Sequence, residues 1–462
     1  MRNPYIFFFA LVLVLSWIVC VSGGGGVFQV NHKFGKKNYW SLTDLKVHDT
    51  NRHAAINVPL AQGHGIYYTK LAIGSPPRDY FLIVDTGSDV FLVTCAKCAP
   101  CYPTYTDSNP TLNYYDPKLS STSSLVPCSS SSNKVCGYNI GYGDGSTSTG
   151  YFVRDIIGYD QISGDFQTTI RNADVSFGCG MKVTGNLGNL SLDGLIGFGA
   201  SSTSFLSHLA SEGKVSKKFA HCLDGRNGGG IFVIGDIVGP PLKMTPLIPN
   251  GPLYNVIMKS IQVGNSVLDI SQFEAGEGKG TIVDSGTTLA YLPGPIFNPL
   301  RLMILTSQVN LSTRIVNDHY GCFEFHKSLD DSFPSVTLSF ENSLELKVYP
   351  HDYLIPNHEW YYCLGWQDSR RLKSDLIILG DLVLNNKLVL YDLENQALRV
   401  SECSSTIGLK DEESGAIYQA GGSNNLSSYP TRYNKHISSS PAQHFGRVIQ
   451  LVLLSFMLYN CV

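Results

Sequence analysis

Two short stretches of this 462-residue chain share a pattern that can do chemistry: FLIVDTGSD, Phe81 to Asp89, and GTIVDSGTT, Gly280 to Thr288. Each ends a run of β-formers on an aspartate and then turns on a glycine. A carboxylate at the end of an apolar strand loses hydration, so it persists only when hydrogen-bonded, paired or used. The glycine lets the backbone turn tightly enough for amides to approach the carboxylate, and a neighbouring hydroxyl can reach its outer oxygen. One such motif describes an ordinary, satisfied turn aspartate. Two of them can do more. If Asp85 and Asp284 are brought within hydrogen-bond range, both cannot ionise and one proton is shared. A half-protonated pair can take a proton from water and give one to a carbonyl oxygen, which hydrolyses an amide with no metal and no covalent intermediate.

The elements that must position these residues are themselves repeated. Two apolar residues followed by glycine occur in DGLIGFG, Asp193 to Gly199, and in IILGD, Ile377 to Asp381. Asp85 precedes Gly197 by 112 positions (197 − 85) and Asp284 precedes Gly380 by 96 (380 − 284). The same pair of elements in the same order is what a duplicated lobe leaves behind. The length agrees, since a single core stops growing beyond roughly 250–300 residues. Short β-branched and aromatic runs such as IYYTKLAIG, YFLIVDTG and GYFVRDIIGYD, punctuated by Gly, Pro, Asn and Asp, predict strands joined by turns. Helical patterning is confined to SFLSHLASEG, Ser204 to Gly213, and PIFNPLRLMILTSQV, Pro295 to Val309. The fold class is therefore all-β and bilobal with a few short helices, a linker near Pro240 to Pro252, and a Ser-rich loop between Lys118 and Cys136.

Composition narrows the function. The net charge of −3, without a basic run, excludes a large nucleic-acid footprint. The N-terminus carries one basic residue, an apolar stretch from Ile6 to Val21 and small residues at Ser22 and Gly23, the layout of a secretory signal over residues 1–23; an uncleaved membrane anchor is the alternative. Residues 24–65 show no sustained period and read as a removable pro-segment. At the other end, Ser438 to Ser440, a polar spacer and the apolar tail Val448 to Val462 read as a glycosylphosphatidylinositol signal, with Ser438 the candidate attachment residue, 405–440 a polar stalk and 441–462 removed. A short membrane helix is the alternative. Of twelve cysteines, ten lie outside the two terminal segments, an even number that reads as a disulfide framework in a secreted chain. The CAKCAPC spacing of Cys95, Cys98 and Cys101 could also suggest metal ligation, but no comparable cluster completes a four-ligand set, so no metal and no cofactor is expected. Sequons at Asn189, Asn310 and Asn425 suit glycosylated loops.

The motifs VDTGSD, YGDGSTSTG, DGLIGFG, VDSGTT and ILGD, in this order, resemble those of the pepsin-like aspartic proteases, most closely the plant nepenthesin-type branch, from about Tyr67 to Cys403. The resemblance implies a double β-barrel with an N-terminal lobe over 66–240, a C-terminal lobe over 253–404 and a cleft between them. It implies Asp85 and Asp284 as the catalytic pair. Thr86 and Ser285 would brace the two loops against each other, with Gly87 and Gly286 at the turns, and Ser88 and Thr287 would bond the outer carboxylate oxygens. Tyr142, with Gly143, Asp144 and Gly145, would form the mobile flap, and Cys322 and Cys363 the C-terminal-lobe disulfide. Expected partners are protein or peptide substrates and pepstatin-type inhibitors, for a monomeric enzyme with an acidic optimum at the outer face of the plasma membrane or secreted.

The chain departs from that pattern at Leu92, where pepsin-like enzymes usually carry a tryptophan whose indole holds the flap tyrosine. It also has no long Cys-rich insertion between Asp284 and Gly380. Lys36 or Lys37, placed between the two carboxylates, would block proton sharing and make the leading segment self-inhibitory. Two rival readings are a protease-like binding or inhibitor protein on the same scaffold, which Leu92 keeps in play, and a surface adhesion module, for which no motif speaks.

Overall fold

The computed structural model describes residues 26–32, 66–101, 113–128, 135–162, 168–185, 187, 192–224, 229–235, 237–238, 243–249, 251, 253–274, 276, 279–316, 320–358, 360–372, 374–403, 407–410 and 417–420. Strands dominate, joined by short turns and a few short helices. The strand Arg78–Asp85 is buried on both faces over its last four residues, which is why FLIVD reads as a continuous apolar run rather than an alternating one. It pairs in parallel with Gly194–Gly197, placing Asp85 opposite Gly197. In the second half Thr281–Val283 pairs in parallel with Ile377–Leu379. A parallel pair needs a long crossover, so the intervening chain in each half leaves the site and returns to it.

The duplication extends to the next strand. Leu92–Thr94 runs antiparallel to Gly194–Gly197 and parallel to the long strand Thr168–Thr184. Ala290–Leu292 likewise runs antiparallel to Ile377–Leu379 and parallel to Trp366–Asp368. In both halves the chain after the aspartate passes directly over the glycine of the second motif. A Cβ on Gly197 would meet the backbone of Asp89 and Val90, and one on Gly380 the carbonyl oxygens of Thr287 and Leu289. This close approach is the physical reason for the glycine in the repeated motif.

The two halves share one sheet and one core. Gly229–Ile234, Lys218–Asp224, Lys387–Asp392, Ala397–Glu402 and Lys243–Pro246 pair in succession, so two strands of the first half continue into two of the second with no break. Lys243–Pro246 lies in the stretch expected as a linker; instead of spanning freely it pairs at the sheet edge, where Pro246 is tolerated. The Ser-rich stretch is also not all loop, since Ser124–Leu125 pairs with Val153 and Arg154. Gly26–His32, within the expected pro-segment, is a strand between Gly229–Ile234 and Tyr67–Ile73. The rest of that segment, with Lys36 and Lys37, lies outside the described residues, as do the signal, stalk and tail.

Beneath the shared sheet, Phe198, Phe219, Phe232, Tyr254 and Tyr391 stack with ring centroids 4.3 to 5.7 Å apart. The two helices follow the predicted stretches. Phe205–Ser211 is capped by Ser204, whose side chain accepts from Ser207 N–H, and Gly294–Thr306 buries Ile296, Leu300 and Ile304 on one stripe. Disulfides join Cys95 to Cys179, Cys98 to Cys101, Cys222 to Cys403 and Cys322 to Cys363. The CAKCAPC cysteines are thus consumed by disulfides, and Cys128 and Cys136 form no disulfide among the described residues. Among the described residues no helix is long and apolar enough to cross a membrane.

Candidate active site

Asp85 and Asp284 end corresponding strands and are held by corresponding turns. The Gly87 N–H donates to Asp85 Oδ1 at 2.8 Å and the Ser88 hydroxyl to Oδ2. The Gly286 N–H donates to Asp284 Oδ1 at 2.8 Å and the Thr287 hydroxyl to Oδ2 at 2.5 Å. Each turn also reaches across. The Ser285 N–H donates to Thr86 Oγ1 at 2.9 Å and the Thr86 N–H to Ser285 Oγ at 3.3 Å, while the Thr86 and Ser285 hydroxyls donate to Val283 O and Val84 O at 3.3 and 3.1 Å. These four bonds tie the halves together directly behind the carboxyls. The carboxyls of Asp85 and Asp284 face each other closely enough that each feels the other's charge. Gly87 lies against the Asp284 carboxyl and Gly286 against that of Asp85, so a methyl at either turn would fill the space the pair occupies.

Asp85 is buried and Asp284 is partly open to the cleft. Burial, and then the charge of Asp284, push the Asp85 carboxyl well above the usual carboxylate range, against the opposing pull of the Ser88 and Gly87 hydrogen bonds. A proton bound between the two groups satisfies both effects.

The turn Gly141 to Ser146 overhangs this pair at the tip of the hairpin formed by Gly137–Gly141 and Thr147–Ile162. Its shape is set by Tyr142 N–H to Ser146 O at 2.9 Å, Gly145 at φ +84°, and the Asp144 carboxylate accepting from the Ser146 N–H and hydroxyl at 2.8 and 2.7 Å. The Tyr142 ring packs against the apolar cluster of Ile66, Ile83, Leu92 and Leu195. Its hydroxyl is buried without a partner among the described residues. That is the consequence of Leu92: the residue offers the ring an apolar surface and no donor. The cleft below contains Asp85, Asp284 and Asp144 and otherwise mainly apolar side chains, Ile83 and Leu195 from one half, Ile282 and Ile378 from the other; no lysine or arginine lines it among the described residues.

Of the remaining candidate residues, Cys322 and Cys363 face each other in adjacent strands and are bonded. Asn310 is exposed at φ +64° just beyond the helix Gly294–Thr306. Asn189, Asn425 and Ser438 lie outside the described residues. Three residues beside the site had gone unremarked: Asp381, His221 and Tyr391. Asp381 stands in the ILGD motif already quoted, so a signal was present; His221 and Tyr391 sit in ordinary strand runs.

Asp381 makes a direct prediction. It is fully buried, neither carboxyl oxygen has a hydrogen-bond partner among the described residues, and burial together with the nearby charges of Asp284 and Asp85 raises its pKa well above the ordinary value of 3.8. A group raised in the folded state stabilises fully below its unfolded pKa and loses that contribution as pH rises towards its folded pKa. Above about pH 4 the unfolded chain releases this proton while the fold retains it, a slope of up to ~1.4 kcal/mol per pH unit. Asp381→Asn will therefore leave the melting temperature nearly unchanged at pH 3 and raise it by several degrees at pH 7, measured by calorimetry; parallel pH curves for variant and wild type would refute this.

Comparison with known proteins agrees with this geometry. Residues 67–236 match the family model described as Xylanase inhibitor N-terminal and residues 253–402 the one described as Xylanase inhibitor C-terminal. The chain is 44% identical over 449 residues to Aspartic proteinase 36 of Arabidopsis thaliana, covering 90% of this chain and 92% of that protein. It is 30% identical over 371 residues to aspartic proteinase nepenthesin-2 of Nepenthes gracilis, covering 75% and 79%. Its fold is shared with conglutin gamma from lupine seeds at a TM-score of 0.59 and 16% identity, over 82% of this chain and 95% of that one. The chain belongs to the family of pepsin-like aspartic proteinases, enzymes of the aspartic endopeptidase type.

Proposed function

We propose that this protein cleaves internal peptide bonds of proteins at acidic pH with a water activated by the Asp85/Asp284 pair. The observation that carries the reading is the pair of facing carboxyls at the floor of a cleft that no lysine or arginine lines among the described residues. The ionised partner acts as general base towards the water, the protonated partner polarises the scissile carbonyl, and the proton passes to the leaving amine. Tyr142 and its turn close over the peptide, and apolar walls on both halves favour apolar side chains on either side of the cut. Activity falls at low pH as the second carboxyl protonates and at high pH as the shared proton leaves, giving a bell-shaped profile on the acid side of neutrality. Acid cleavage of a denatured protein that pepstatin abolishes is the expected result. Stoichiometric binding of pepstatin or a protein without cleavage would favour the binding-protein reading, for which Leu92 and the unpartnered Tyr142 hydroxyl are the supporting features.

We further propose that the chain enters the secretory pathway and is held at the outer cell surface by a glycosylphosphatidylinositol anchor. The oxidised cysteines suit that compartment. Phosphatidylinositol-specific phospholipase is expected to release the protein from intact cells; retention would replace the anchor with a membrane-spanning tail.

A further inference from the structure

The flap is a hairpin with one arm inside the sheet and the other at its edge. Thr147–Ile162 pairs along its whole length with Thr168–Thr184, whereas Gly137–Gly141 pairs with Thr147–Ile162 alone. An edge arm is the part of a hairpin that can peel away, and this one leads straight into the turn that carries Tyr142. Nothing holds the Tyr142 hydroxyl itself: it is buried without a hydrogen-bond partner among the described residues, and Leu92 beside the ring has no donor to give. The restraint on the edge arm must therefore lie elsewhere.

It lies at Tyr138. In register Tyr138 opposes Gly150, with Ser148 and Phe152 at alternate positions on the same face, and in the next strand Gly180 opposes Gly150 and Gly178 opposes Phe152. The three glycines leave a trough across two strands, and the Tyr138 ring fills it. A Cβ on Gly178 would stand 2.7 and 2.9 Å from two ring carbons, one on Gly150 3.1 Å from the ring, and one on Gly180 3.5 Å from the hydroxyl oxygen. The ring packs on Phe152 with centroids 5.3 Å apart, and its hydroxyl is 3.1 Å from Oγ of the fully buried Ser148. Ring and hydroxyl thus hold opposite sides of a bulge, where Thr149 opposes Lys182 but Gly150 opposes Gly180. The extra residue, Met181, is itself fixed: its carbonyl accepts from Ala99 N–H at 2.9 Å, while Val183 N–H donates to Pro100 O at 3.1 Å. The edge arm is therefore clamped to a base anchored in the Cys98–Cys101 loop.

We propose that Tyr138 is a positioning residue for the flap: it clamps the edge arm across the middle strand of the hairpin and so keeps the Tyr142 turn over the carboxyl pair with no donor at position 92. The inference rests on the proteolytic reading of the site. Loss of the clamp populates arrangements in which the flap no longer overhangs the pair. A substrate must then recover the closed arrangement, and its apparent affinity falls in proportion to the fraction of molecules left in it. A merely structural role would instead lower the amount of folded enzyme and leave KM as it was.

The test uses the purified protein, a fluorogenic peptide with apolar residues flanking the cut, pepstatin as a cleft-filling probe, and amide hydrogen exchange. Tyr138→Phe removes only the hydroxyl and is expected to raise KM and the pepstatin Kd together by about fivefold, the effect of one neutral hydrogen bond, at nearly unchanged kcat. Exchange is expected to quicken over residues 139–148 and to stay at the wild-type rate over 150–157. Ser148→Ala is expected to match Tyr138→Phe, and the double variant to be no worse than either. Gly178→Ala tests the trough, because the three atoms nearest its added methyl all belong to Tyr138. It is expected to raise KM when Tyr138 is present and to add nothing to Tyr138→Leu. Wild-type KM and Kd in Tyr138→Phe, additive effects of Gly178→Ala and Tyr138→Leu, or losses confined to the amount of folded enzyme would overturn the proposal. If Tyr138→Leu fails to fold, Tyr138→Phe, Ser148→Ala and their double variant decide on the same criteria. The two readings fail differently. A wild type that does not cleave overturns the proteolytic reading, with Kd and exchange still deciding the clamp, whereas a cleaving wild type with an indifferent Tyr138→Phe overturns the clamp alone.

Discussion

Asp284→Asn will abolish acid proteolysis while leaving the fold intact, with kcat reduced by about 10³-fold or more, at the upper end of what a positioned acid–base group contributes. The side chain is isosteric: its oxygen can still accept from the Gly286 N–H, and the amide NH2 in place of Oδ2 can donate to the Thr287 hydroxyl, so the turn keeps both contacts with one reversed. What is lost is the shared proton. Without the Asp284 charge, the second-largest cause of the raised Asp85 proton affinity is gone, which favours the ionised form of Asp85. The pair then has a base but no acid to polarise the carbonyl. The variant should also be more stable than wild type at neutral pH, because the wild-type fold there holds a raised Asp85 carboxyl protonated while the unfolded chain releases that proton. Single-turnover kinetics beside thermal melts separate these effects. Retained acid cleavage with an unchanged fold would remove the dyad from the mechanism.

Gly380→Ala has the next largest expected effect, and it acts on the fold. The added methyl would run into the carbonyl oxygens of Thr287 and Leu289, backbone atoms that cannot rotate away as a side chain would. Thr287 belongs to the turn that holds Asp284, and Asp381 N–H donates to Thr287 O at 2.8 Å, so relief of the clash must move the active-site turn itself. The expected cost is about 3 kcal/mol or more, from overpacking without an escape route. In a protein of this size that corresponds to a fall of roughly 4 °C in melting temperature, with activity reduced below the melt as well. Gly197→Ala should behave alike in the other half, since its methyl would meet Asp89 and Val90. A melting temperature within a degree of wild type for both would show that the strands can separate and that the crossing is not a tight one.

Much of the site was legible because it is local and because it is duplicated. An aspartate after a doubly buried strand, a glycine that the turn requires and a hydroxyl in reach of the carboxylate all lie within four residues, so short stretches of chain carry the whole arrangement. The repeated apolar pair and glycine could be read as a second element of each half, and the structure supplies its reason in the chain crossing over Gly197 and Gly380. Helix Gly294–Thr306 was legible for the same reason, its apolar residues falling on one stripe.

What lay out of reach depends on partners far away in the chain. Lys243–Pro246 looks like linker by composition and becomes a strand because Ala397–Glu402 offers it an edge. Gly26–His32 shows no sustained period of its own and is placed by Gly229–Ile234 and Tyr67–Ile73. Nor could any local pattern show that His221 Nε2 stands 3.4 Å from the Tyr391 hydroxyl, 170 positions away (391 − 221). The sequence alone determined the carboxyls, their turns, the duplication and the strand-rich class, since each is a matter of neighbours within a few residues. Only the tertiary structure decided how the halves lock, which buried polar groups stand behind the pair and how the flap tyrosine is lodged. Those contacts join residues hundreds of positions apart, and their energies depend on burial that no short window of sequence contains.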